Sequence, residues 1–177
     1  MNESKLVRKA VKGNKEAFQQ LVVLHSDRLY RTAFLYVGNR EDALDVVQET
    51  TYKAYITIQR LRNEEYFLTW ITKILIHCSY DVLRRRKKEV MTVDIELSTD
   101  KETKSEEHID LIQALSELKE EYRSSLILFY YQDLPIVEIA KMLGVPDNTV
   151  KTYLHRGKKQ LKQKLGGRKY YEGEIVS

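Results

Sequence analysis

The sequence predicts an all-α protein: two small helical domains joined by an acidic flexible linker, the C-terminal one a helix-turn-helix. Three observations carry that reading. Apolar residues recur at helical spacing from residue 3 to residue 88. Strand-like alternation and Asn-Gly or Asp-Gly hairpin signals are missing from the chain. Residues 89–107, EVMTVDIELSTDKETKSEE, lose the helical period and hold seven acids against Lys101 and Lys104, the composition of a solvated linker.

The 177 residues leave room for two small domains, here 1–88 and 108–166, with 167–177 as a tail behind the Gly166-Gly167 pair that should stop the last helix. The net charge of +4 says less than its distribution. Residues 84–88 read RRRKK, and no acid occurs between Asp147 and Glu172. A lone Cys78 excludes an intramolecular disulfide, and His25, His77, His108 and His155 are too scattered for a local metal-ligand motif. A reducing compartment is expected, with no metal and no cofactor. The N-terminus MNESKLVRKAVKGNKEAF lacks an apolar signal core, and nowhere do about 18 apolar residues run together, so a cytoplasmic location is expected.

Within the first domain, NREDALDVVQETTYKAYITI (39–58) should form a helix with Ala43, Val47, Thr50, Ala54 and Ile58 on one side. The other side carries Asp42, Asp45, Glu49 and Tyr52, and an exposed acidic strip of this kind suits either solubility or a basic partner. The next helix, over 66–88, should bury Ile71, Ile74, Leu75, Cys78 and Val82. Opposite runs a stripe of Trp70, Lys73, His77, Tyr80 and Arg84, in which rings alternate with cations. Unpaired bases stack on rings while cations hold the backbone, although Trp70 and Phe67 equally suit a core.

In LPIVEIAKMLGVPDNTVKTYLHRGKKQLKQKL (134–165), Pro135 and Pro146 mark helix starts. Ala140 allows close helix crossing, Gly144 supplies the turn, and Val150 packs back with Leu154. The free face then holds Lys151, Thr152, His155 and Arg156, followed by Lys158, Lys159, Lys162 and Lys164. Early side chains can reach base edges in a major groove while later lysines sit over phosphates. A plain αα-hairpin with a solvated basic face fits the spacing as well.

The three pieces in this order resemble a group 4, extracytoplasmic-function sigma factor of bacterial RNA polymerase, from about residue 5 to residue 165. DALDVVQETTYKAY resembles the helix that binds the polymerase clamp, FLTWITKILIHCSYDVLRRRKK the −10-element segment, and GVPDNTVKTYLHRGKKQL the −35 recognition helix. The sequence departs from the family at His77, where Asn is frequent, and at Asn148, where Gly is common. The resemblance implies that Asp42, Asp45, Gln48, Glu49 and Tyr52 meet core polymerase. It implies a pocket for a flipped −10 base in the loop at about 59–69, formed by Arg62, Asn63 and Tyr66, with Phe67, Trp70, Lys73, His77, Arg84 and Arg85 on the melted strand. Thr149, Lys151, Thr152, His155, Arg156, Lys158 and Lys159 would hold the −35 duplex.

The implied partners are core RNA polymerase (clamp and flap), promoter DNA and an anti-sigma factor, which can be membrane-anchored. The implied output is transcription of a stress or envelope-response regulon. No small-molecule substrate is expected. Nor is enzyme activity, because no phosphate-binding Gly loop, HExxH or Cys/His arrangement occurs. The competing reading is a stand-alone helix-turn-helix repressor, which would have no use for the strip at Asp42, Asp45 and Glu49.

Overall fold

The computed structural model describes residues 2–92 and 106–166, and the chain divides into two compact units, 1–95 and 96–177. In the first, α1 (Glu3–Val11), α2 (Lys15–Val37), α3 (Arg40–Thr57) and α4 (Phe67–Thr92) pack together, with 3-10 turns at Ile58–Arg60 and Glu64–Tyr66 between α3 and α4. Asparagines start the elements. Oδ1 of Asn2, Asn14, Asn39 and Asn63 each accepts a backbone N–H two or three residues ahead, at 3.2, 2.7, 2.9 and 3.0 Å. Each satisfies a donor that the first turn leaves without a partner, worth about 1 kcal/mol apiece. Gly38 closes α2 at φ 80°, its N–H donating to Phe34 O at 2.8 Å.

The core of this unit is built from Leu6, Val7 and Ala10 of α1, Phe18, Leu21, Leu29, Ala33 and Tyr36 of α2, Ala43, Val46, Thr50 and Ala54 of α3, and Phe67, Ile71, Leu75 and Cys78 of α4. Each large aliphatic side chain so buried contributes about 1.5–3 kcal/mol. Ala43, Thr50, Ala54 and Ile58 are buried as expected, but Val46, with no exposure, takes the place expected of Val47, which is half-buried. Burial pushes the Cys78 thiol up from its ordinary pKa.

The second unit holds α5 (Glu106–Ser116), α6 (Glu120–Leu126) running into a π-helical turn (Ile127–Tyr131), α7 (Ile136–Leu143) and α8 (Asp147–Lys164). Arg123 is buried, and its guanidinium donates to the carbonyls of Leu115 (2.9 Å), Ser116 (2.6 Å) and Leu118 (3.3 Å), capping the end of α5. Gly144 takes φ 67° at the α7–α8 turn, and Ala140 and Val150 are buried. Leu154 is only half-buried. At Gly157, α8 lies close against α6: an added Cβ would lie 3.1 Å from Tyr122 Cβ and 3.3 Å from Leu126 Cδ1.

Several boundaries differ from expectation. The α4 helix continues through Thr92 and α5 begins at Glu106, so 89–92 and 106–107 are helical rather than linker. Nothing between Arg84 and Met91 breaks a helix, and the exposed Glu89, Val90 and Met91 need no packing partner to extend it. Residues 93–105, the rest of the expected linker, and the tail 167–177 lie outside the described residues. Pro135 and Pro146 stand one residue earlier than expected, at the N-caps of α7 and α8. Among the described residues no helix is long and apolar enough to cross a membrane.

Candidate nucleic-acid interface

The first candidate surface begins in the loop between the two 3-10 turns and continues along α4. Arg62 and Asn63 are exposed on the loop and Tyr66 at the end of the second 3-10 turn, but Asn63 already commits its side-chain oxygen to the Glu65 N–H. Along α4, Lys73, His77, Arg84 and Arg85 are exposed and Trp70 is half-buried at the rim of the core. Phe67 does not join them. At 1% exposure it lies between the His25 and Trp70 rings, 5.8 and 6.0 Å away between centroids. Tyr80 is buried too, edge-on to Tyr36 at 5.4 Å, because it falls where α4 turns toward α2.

The stripe is therefore narrower than the spacing implied, and it is not uniformly cationic. Asp81 shares its face, 3.2 Å from Arg84 Nη1 and 3.8 Å from Lys53 Nζ. Lys53 also reaches Glu49 at 3.4 Å. Burial opposes the Lys53 charge, but Cys78, Glu49 and Asp81 outweigh it and raise its pKa.

The loop has a support that sequence spacing could not reveal. Glu64 Oε1 accepts from Ser4 Oγ (3.0 Å) and from Arg8 Nε (2.6 Å), with Arg8 Nη2 at 2.5 Å. The hydrogen bond from Arg8 holds the Glu64 carboxyl below its usual range, and Glu64 in turn raises Arg8. At Glu3, the residue before Ser4, His25 Nε2 meets the carboxylate Oε1 at 3.0 Å. The partners are separated by 56 to 60 positions in sequence for the Glu64 contacts, so only the fold brings them together.

On α3, Asp45, Gln48, Glu49 and Tyr52 are exposed as expected, Tyr52 at 60%. Asp42 differs. It is turned toward α4, where Arg86 forms an ion pair with it and also donates to Val37 O at 3.3 Å, while Asn39 Nδ2 donates to Asp42 at 2.9 Å. An Asp in the first turn of a helix favours that arrangement, so Asp42 serves the α3–α4 joint. Its place on the open face is taken by residues the sequence reading missed: Leu44, Tyr55 and Ile56 are exposed. Leu44, Gln48, Tyr52 and Ile56 recur every four residues, a largely apolar row, interrupted by the amide of Gln48, beside Asp45 and Glu49 that was legible as spacing.

The second surface is the outer face of α8. Lys151, Thr152, His155, Arg156, Lys159 and Lys162 point away from the buried line of Val150, Gly157 and Leu161, and Asn148 joins them at the helix start. Thr149 is half-buried, and Thr152 Oγ1 donates to Asn148 O at 3.0 Å. Lys158 lies at the edge, its Nζ 5.8 Å from the Tyr130 ring centroid. Lys164 leaves the series, because its Nζ pairs with Glu117, in the turn just after α5, at 2.7 Å and lowers that carboxyl's pKa. A helix with a cationic outer face, held across a short second helix by a tight turn, can enter a DNA major groove.

Comparison with known proteins agrees with this division. Residues 21–89 match the family Sigma-70 region 2 and residues 108–161 match Sigma-70, region 4. The chain is 40% identical over 144 residues to the RNA polymerase sigma factor SigV of Bacillus subtilis, covering 80% of this chain and 86% of that protein. It is 27% identical over 178 residues to the ECF RNA polymerase sigma factor SigW of the same organism, covering 91% and 95%. Among solved structures, the sigma factor RpoE of Bartonella quintana, in a co-crystal with the anti-sigma factor NepR, superposes with a TM-score of 0.69 at 25% identity over 84% of this chain and 96% of that one. Helical regions of both kinds in one chain, in this order and at this level of identity, make it a member of the extracytoplasmic-function sigma factors of the sigma-70 family.

Proposed function

We propose that this alternative sigma factor uses its first unit to join core RNA polymerase and trap an unpaired −10 strand, and its second to hold the −35 duplex. The observation that supports this division is the contrast between the two exposed helix faces. The α4 face mixes Trp70 with Lys73, His77 and Arg84 beside the Tyr66 loop, as a single strand requires, whereas the α8 face is polar and cationic, as duplex requires. Arg62, Asn63 and Tyr66 form the pocket for a flipped base. Asp45, Gln48, Glu49 and Tyr52, with the apolar row of Leu44 and Ile56, form the contact with the polymerase clamp. The α8 unit lies near the flap.

The chain carries no catalytic residues of its own in this reading, and polymerase supplies the chemistry. It works in the cytoplasm on a stress or envelope-response regulon. An anti-sigma factor, membrane-anchored if the signal comes from the envelope, covers the same surfaces when the factor is silent. The RpoE relative was solved with such a partner.

Run-off transcription with purified core polymerase tests the assignment, since specific transcripts should need this protein. The double change Asp45→Ala and Glu49→Ala should weaken core binding in a titration while circular dichroism stays helical. Unchanged core affinity would remove the α3 face from the reading.

A further inference from the structure

The loop proposed to receive the flipped base is a short irregular segment between two 3-10 turns, and such segments pay ordering entropy when they bind. Here it is held before any DNA arrives. Both turns pack on α1, which is itself fixed to α2 through Leu6, Val7 and Ala10. Ser4 and Arg8 of α1 then converge on a single oxygen of Glu64, the first residue of the second turn. His25 adds a further tie, joined to Glu3 at 3.0 Å and packed on Phe67 directly after that turn. The α1 helix lies outside residues 21–89, the stretch matched by the Sigma-70 region 2 family.

We propose that α1 clasps the −10 loop through Ser4, Arg8 and Glu64, making these three positioning residues that hold Arg62, Asn63 and Tyr66 ready to capture an unpaired base. The inference rests on the reading of that loop as the base pocket. With the Arg8 side chain 64% exposed and that of Glu64 27% exposed, their ion pair adds only modestly to global stability, since pairs open to solvent contribute little. What the clasp supplies is pre-organisation: without it the loop has to be ordered at the moment of capture, so the loss falls on strand binding and leaves the remainder of the molecule alone. Three donors on one carboxylate oxygen also fix its position more narrowly than a single contact would.

The test uses full-length protein reconstituted with core polymerase. The probes are a single-stranded oligonucleotide selected by the unsubstituted holoenzyme from a random pool, and a −35 duplex selected in the same way. Arg8→Ala and Glu64→Gln should each weaken single-strand binding by about threefold to tenfold, the factor for re-ordering one or two side chains on binding, and leave duplex binding and core affinity unchanged. The exchanged pair Arg8→Glu with Glu64→Arg should recover most of the loss, which a merely structural defect would not allow. Arg62→Ala and Tyr66→Ala serve as the reference. If they weaken single-strand binding while the α1 variants do not, or if the exchanged pair stays as weak as the single variants, the clasp is overturned and the pocket stands. If Arg62→Ala and Tyr66→Ala are themselves silent, the pocket and the clasp fall together.

Discussion

Some single residues in this protein matter for atoms they lack or direct inward. Gly157 sits mid-helix, where glycine costs about 1 kcal/mol relative to alanine, yet its missing Cβ is what lets α8 close on Tyr122 and Leu126. Tyr122 Cβ is fixed to its own backbone and cannot yield as a flexible side-chain end would. Alanine would regain the helix propensity and offset part of the clash. Gly157→Val regains less and adds two more carbons against the same wall, so it should destabilise the second unit by about 2–3 kcal/mol in chemical denaturation. A variant as stable as the parent would mean that α6 and α8 can separate without cost. Arg123 is the converse case, a cation drawn inside because three carbonyls at and beyond the end of α5 need donors. Neither role has a signature in spacing, because each depends on which helix happens to lie opposite.

At the scale of elements, helix content and the location of the two functional helices were legible, since periods of three and four survive in any packing. The faces were less so. Sequence spacing placed Tyr80 and Asp42 on open surfaces and the family resemblance placed Phe67 there, and the structure turns all of them toward neighbouring helices, whose positions no local pattern encodes. On α8 the same limit applies to Lys164, which belongs to the basic run by sequence and to Glu117 by structure. This makes the helix a graded instrument. Arg156→Ala and Lys151→Ala, early on the open face, should each cost about 1–3 kcal/mol on a cognate −35 duplex and relax preference at one position. Lys162→Ala should weaken cognate and scrambled duplexes alike and reduce the salt slope by about one ion. Lys164→Ala should do neither. Binding titrations across salt concentrations separate these outcomes, and a full phosphate-type loss at Lys164 would show that its pairing with Glu117 does not persist on DNA.

For the whole molecule, the proposed division puts a duplex-holding unit and a strand-trapping unit on one chain, so binding by the second would raise the effective concentration of the first at the adjacent sequence. Trapping then has to supply the free energy of opening. Unstacking and unpairing a base cost a few kcal/mol, while stacking on an aromatic side chain returns about 1–3 kcal/mol. Those magnitudes are close enough that one ring decides the direction. Trp70, half-buried beside the exposed Lys73 and His77, is the ring whose outer face is available on α4 now that Phe67 and Tyr80 are assigned to the core. Trp70→Ala should therefore slow open-complex formation on duplex promoters by about tenfold, corresponding to roughly 1.4 kcal/mol of lost stacking. A promoter template already unpaired at the −10 element should restore much of the activity, because the cost the ring offsets has been removed beforehand. The inner edge of Trp70 rests on Phe67, 6.0 Å between ring centroids, so thermal unfolding of the variant has to be followed alongside. Trp70→Phe retains a stacking face and should keep opening close to the parent rate. If folded Trp70→Ala protein opens duplex promoters at the parent rate by permanganate footprinting, the ring is a structural plug, and strand capture must be carried by Tyr66 and the loop alone.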